Sequence, residues 1–140
     1  MTTEATIAVA ATIEALQVGW NSADGSKFAE PFTDDADFVA IRGDHHKGKT
    51  VIAKGHDAIF ATIYSGSRIK YEVVAARHLT EQVILGHVKG TLTAPTGPLA
   101  GVQVALASVV LVRSGAKWQI AAFHNTLMTQ SPIPQRGAAA

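Results

Sequence analysis

Six histidines and no cysteine define the reactive groups open to this chain. Without a thiol there is no cysteine nucleophile, no thiolate metal site and no disulfide framework. His45 and His46 are adjacent, so on a strand they point to opposite faces and do not readily share a metal; exposed loop positions are expected for both. A hairpin turning near Thr80-Glu81 pairs His78 with about residue 83 and His87 with about residue 74, which keeps these two apart. No HxH or HExxH spacing occurs, and no metal is expected.

His56 is different, because Ile52, His56, Ile59 and Ile63 recur at steps of four, three and four, the spacing of one helix face. Two readings of it stay open. It is a core histidine bonded to a neighbouring group, or it lines a pocket and exchanges a proton near pH 7. In the dipeptide His124-Asn125 only one side chain normally enters a given face of a strand, and the amide orients a carbonyl or hydroxyl without exchanging protons. Asp37 is a pocket acid or, more simply, a solvated strand-end carboxylate; Asp34 and Asp35 are turn and capping groups. GxGxxG, GxxxxGK[ST] and GxSxG strings are all absent, so no nucleotide cofactor and no serine-hydrolase elbow are expected.

These side chains need elements to hold them. Thr3 is a plausible N-cap, and Val9, Ile13, Leu16 and Trp20 follow at steps of four, three and four, predicting an amphipathic helix. Asn21 to Ser26 carries the turn chemistry that ends it and starts a short second helix through Phe28 to Phe32. Asp35 to Ile41 reads as a strand, His45 to Lys47 as a short return strand, and Thr50 as the cap of a third helix ending near Ser65-Gly66-Ser67. Four β-rich segments follow, at 69–79, 83–93, 102–113 and 117–126, separated by Gly, Pro, Ser or Thr turns. Helices ahead of an antiparallel meander imply an α+β sheet covered on one face.

At 140 residues and 47% hydrophobic, the chain suits one domain, 1–128, followed by a Pro-, Gly- and Ala-containing tail expected to be flexible, 129–140. A net charge of +1, from 12 basic and 11 acidic residues spread along the chain, provides no stripe for nucleic acid. No apolar run approaches the ~18 residues that span a bilayer, so no membrane partner is expected. The start Met1-Thr2-Thr3-Glu4 is unlike a secretory leader, making the cytoplasm the expected location. Val102 to Val112 supplies apolar residues to both faces of one strand, which predicts a homodimer through the outer sheet face.

The order of elements and several strings resemble the SnoaL-like, nuclear-transport-factor-2-like superfamily of cone-shaped domains over about residues 5 to 128. The strings are Phe32-Thr33-Asp34-Asp35-Ala36-Asp37-Phe38, then Gly48, Ile52 and His56 at four-residue steps, then Trp118 followed by Ile120-Ala121-Ala122-Phe123-His124-Asn125-Thr126. They look most like the SgcJ/EcaC group, associated with antibiotic biosynthesis including enediyne polyketides. The resemblance implies a cone-like fold, a strongly bent, mainly antiparallel sheet with three helices from the N-terminal half on its concave face.

It also implies a pocket. Aligning Asp34-Asp35-Ala36 with the corresponding string of ketosteroid isomerase puts Leu16 where that enzyme has a Tyr, Ala40 where it has the base and Ser108, across a gap, where it has an Asp. None keeps the required chemistry, so isomerisation by that mechanism is not expected. His56 falls where the isomerase has a helix-borne Tyr beside its active site and is the candidate catalytic residue. Parity along the last strand sends Gln119, Ala121, Phe123 and Asn125 inward and Trp118, Ile120, Ala122 and His124 outward; a bulge would exchange the sets, which keeps His124 in reserve. Trp20, Phe32 and Phe60 join Asp37 as candidate lining, although such aromatics are more simply core.

Two functions follow from the resemblance: a pathway or auxiliary enzyme acting on an apolar polyketide or polyene, with His56 carrying a proton, or a non-catalytic module that binds and shields such an intermediate for a partner enzyme. A dimerisation domain with a vestigial cavity is a third.

Overall fold

The computed structural model describes residues 2–129; the tail expected at 129–140 lies, but for its first residue, outside them. The chain order is α1 (Glu4–Asn21), α2 (Gly25–Ala29), β1 (Phe32–Val39), β2 (His45–Lys47), α3 (Lys49–Phe60), β3 (Arg68–Thr80), β4 (Val83–Ala94), β5 (Gly101–Ser114) and β6 (Lys117–Leu127). The strands form one sheet in the order β2-β1-β6-β5-β4-β3. Only β1 and β6 run parallel; the other neighbours are antiparallel.

Local chemistry explains most boundaries. The Thr3 side chain accepts from the Thr6 amide at 3.2 Å and Asp24 accepts from Lys27 at 3.0 Å, each satisfying a donor that a helix start leaves open. Helix α3 begins at Lys49, not after a Thr50 cap, because Gly48 at φ +94° turns the chain sharply out of β2 while its amide donates to Ala36 O at 2.7 Å. It ends at Phe60, and the turns that follow carry Tyr64 and Ser67. Strand β1 starts at Phe32, ahead of the expected Asp35, since the parallel neighbour β6 already pairs there.

The core lies between the helices and one sheet face. Val9, Ile13, Leu16 and Trp20 of α1 are buried, as are Ile84, Val88 and Leu92, every fourth residue on the inward face of β4. Two β4 glycines make room for this layer. A Cβ at Gly86 would meet Val9 Cγ2 at 2.8 Å, and one at Gly90 would meet the Tyr71 ring at 2.9 Å. The amide ends of α1 grip β3: Gln17 Oε1 accepts from Tyr71 N at 2.9 Å, and Asn21 both accepts from Ile69 N at 2.8 Å and donates to Ile69 O at 3.0 Å. At the other end of α1, Glu4 reaches His78 at 2.9 Å and Arg113 at 3.1 Å, and the Arg113 guanidinium sits 4.4 Å from the centre of the Trp118 ring.

Strand β6 carries the chief departure from the expected parity. Val110 pairs with Ala122 but Leu111 pairs with Ile120, leaving Ala121 as a bulged extra residue. Ahead of the bulge the facing is exchanged. Ile120 and Trp118 turn to the helix side, Ile120 fully buried, and Gln119 turns to the outer face opposite Val112. After it, Phe123 and Asn125 face inward with Val109 and Ala107, and His124 faces outward beside Ser108.

Candidate functional site

A cavity of about 180 Å³ opens between α3, the β1–β2 turn and the inward faces of β3 to β6. Trp20 of α1 and Ile59 of α3 form apolar wall, joined by Phe38, Ile69 and Leu92 from the sheet. At the mouth stand Arg42 and Asp44 of the turn and His46 of β2. An apolar cavity of roughly 150 Å³ accommodates benzene, so this one matches a guest, or a portion of one, of about a single ring.

His56 lies on its wall and is 6% exposed. Its Nδ1 is 2.8 Å from Ile52 O. A carbonyl only accepts, so Nδ1 carries the hydrogen and Nε2 keeps its lone pair. The ring stacks on Phe28, with centroids 4.0 Å apart and planes at 22°, while Phe38 and Trp20 meet it edge-on at 5.0 and 5.8 Å. Burial in this aromatic box lowers its pKa from 6.5 to about 4, with the Ile52 hydrogen bond opposing. The imidazole is therefore neutral at pH 7 and a weak base. The sequence left a core histidine and a pocket histidine as alternatives, and the geometry combines them.

Four further polar residues line the cavity, Gln103, Tyr71 and Asn125 from the sheet and Tyr64 from the turns after α3. Tyr64 donates from its hydroxyl to Gln103 Oε1 at 3.0 Å, which commits the Tyr64 hydrogen and leaves the Gln103 amide hydrogens outside that bond. Tyr71 lies on the cavity wall above Gly90, and burial pushes its hydroxyl above the usual phenol range, keeping it protonated. Among the described residues neither the Tyr71 hydroxyl nor the Asn125 amide has a side-chain hydrogen-bond partner, and both residues line the cavity.

Of the residues singled out from sequence, Trp20, Ala40, His56 and Asn125 line the cavity. Leu16 and Phe32 are fully buried in the core behind it. Phe60 and Phe123 form a second layer: Phe60 packs on Trp20 at 5.0 Å, and Phe123 stacks on Phe38 at 5.3 Å with planes at 8°. Three placements are corrected. Ser108 and Gln119 lie on the outer sheet face, Ser108 because it alternates with inward Ala107 and Val109, Gln119 because of the Ala121 bulge. Asp37 also faces outward, where His45 Nε2 at 2.7 Å and Lys47 Nζ at 3.3 Å hydrogen-bond to its carboxylate and hold its pKa below the usual value. The reserve residue His124 is exposed on that same face.

Sequence reasoning passed over Tyr71, Gln103 and Ala105, and His46, expected at an exposed loop position, is instead a half-buried residue of strand β2 that lines the cavity. Strand alternation was the available signal: His45 outward on β2 forces His46 inward, and inward Ala107 implies Ala105 and Gln103. The three isomerase-equivalent positions now stand in core, wall and outer face, so they bring no base and no paired donors together. Among the described residues, no three His, Cys, Asp or Glu side chains are placed to hold a metal. No described helix is long and apolar enough to cross a membrane.

No protein-family model and no curated protein matches the chain. Solved structures do. A domain of unknown function with a cystatin-like fold from Nostoc punctiforme is 29% identical, with 93% of this chain and 81% of that one covered and a TM-score of 0.79. A ketosteroid isomerase-like protein from Erwinia carotovora atroseptica is 17% identical over 92% of this chain and 100% of that one, at 0.74. Aln2 from a Streptomyces species is 16% identical over 86% and 89%, at 0.71. The chain has the cystatin-like, ketosteroid isomerase-like fold, a bent six-stranded sheet with its helices from the N-terminal half.

Proposed function

We propose that this is a small-molecule pocket protein of bacterial secondary metabolism, which binds or transforms an apolar polyketide or polyene intermediate of the enediyne-pathway type. One observation carries the reading: a ring-sized, aromatic-walled cavity with a few convergent polar groups. The pathway assignment rests on the strings from Phe32 to Phe38 and from Trp118 to Thr126 that resemble the SgcJ/EcaC group. A neutral His56 favours holding the guest over acid–base turnover, because a base whose conjugate acid has a pKa of about 4 takes protons poorly at pH 7. The expected result is a metabolite that co-purifies with the protein from its native cells, seen by mass spectrometry, and is lost from a folded Asn125→Leu variant. Nothing bound in either form would overturn the holding role and favour transient catalysis.

A dimeric form of this module is the second reading. Val102 is 66% exposed and Leu106 39%, both on the sheet face away from the helices, a costly arrangement for an isolated chain. Leu106→Glu puts a charge at the middle of that face. It is expected to weaken self-association more than roughly tenfold in sedimentation equilibrium, since an unpaired charge at a buried contact costs several kcal/mol. A wild-type chain that stays monomeric at high concentration would end this reading.

A further inference from the structure

We propose that the cavity is built for a neutral, ring-sized guest bearing a hydroxyl, which donates its hydrogen to Nε2 of His56. The inference rests on the pocket-protein reading above and adds the chemical class of the guest. The Nδ1 hydrogen of His56 is committed to Ile52 O at 2.8 Å, so Nε2 offers a lone pair and nothing else. No described residue donates to that nitrogen. The face-on contact with Phe28 at 4.0 Å and the edge contact of Phe38 at 5.0 Å hold the ring plane, so the acceptor is preorganised in direction as well as in kind.

This geometry discriminates. A guest carboxylate or carbonyl at that point would set lone pair against lone pair between apolar walls, and a methyl group would leave the nitrogen unsatisfied. A hydroxyl meets it correctly. The Tyr71 hydroxyl, the Asn125 amide and the Nε2 hydrogens of Gln103 stand elsewhere on the wall and suit a second oxygen on the same guest, whereas the Tyr64 hydrogen is committed to Gln103 Oε1. Arg42 places its positive charge only at the exposed mouth. Phenols, enols and cyclic alcohols form the class.

The test compares 4-ethylphenol with its isostere 4-ethyltoluene by calorimetry at pH 7 on the wild-type chain, His56→Leu and His56→Gln. The phenol is expected to bind the wild type at least roughly tenfold more tightly, even though the greater hydrophobicity of the toluene works against this. That preference should disappear in His56→Leu and return in part in His56→Gln, whose side-chain oxygen keeps an acceptor. Equal or tighter binding of the toluene to the wild type would overturn the proposal while leaving the pocket reading intact. If neither probe enters, both fall. The wild-type comparison decides even if a variant misfolds.

Discussion

Acidification from pH 7 to pH 4 is expected to cost the fold about 3 kcal/mol through His56 alone. The folded-state pKa is about 4 and the ordinary value is 6.5. Between those values the unfolded chain binds the proton and the folded chain does not, so protons pull the equilibrium towards unfolding. The contribution is fully present above pH 6.5 and is lost as pH falls towards 4. Denaturant titrations at pH 7, 6, 5 and 4 read it directly, and His56→Leu removes the titrating group. The variant should show a flatter pH dependence across this window, by about 3 kcal/mol at its acid end. Parallel curves for the two proteins would show that the imidazole reaches water or a counter-charge before the fold opens.

Ala105→Phe is expected to weaken ligand binding at least roughly 100-fold while leaving stability unchanged or raised by about 0.5–2 kcal/mol. Ala105 lies on β5 with its side chain on the cavity wall, so the added ring occupies the space a guest needs. Emptiness is costly in a protein interior, since a void forfeits the dispersion contacts of its lining. Opposite changes in binding and melting temperature would mark the cavity as a feature kept for its contents. Undiminished binding of 4-ethylphenol in this variant would move the binding site elsewhere.

The element order was legible because its signals are local and redundant. Four-three-four spacings marked α1 and α3, Thr3 marked a helix start, and turn residues separated the four long strands. Gly48 hid the true start of α3, because a positive-φ glycine between a strand and a helix leaves no capping signature in the sequence. The site was only partly legible. Trp20, His56 and Asn125 sit on regular stretches where parity or helix spacing extends from a known neighbour, whereas Ala40, just past the end of β1, was reached only through the isomerase alignment. Gln119 was misplaced by one bulged alanine, and nothing in Ile120-Ala121-Ala122 distinguishes a bulge from a regular strand. His56 was legible as buried, but its weak basicity was not, because that depends on Phe28, Phe38 and Trp20 arriving from three other elements. Ser108 was placed by carrying a family position across a gap, where a shift of one residue reverses the face.

The grip of α1 on β3 also bears on solubility. Strand β3 is the long free edge of the sheet, and such an edge is a template on which another chain can add itself. Gln17 and Asn21 engage the backbone of Tyr71 and Ile69 in the manner of a neighbouring strand, while Arg68, Lys70 and Arg77 charge the same edge. The opposite edge, β2, is three residues long and carries Lys47. With both edges blunted, growth into amyloid-like ribbons is disfavoured, and α1 works as a gatekeeper against aggregation as well as a wall of the core.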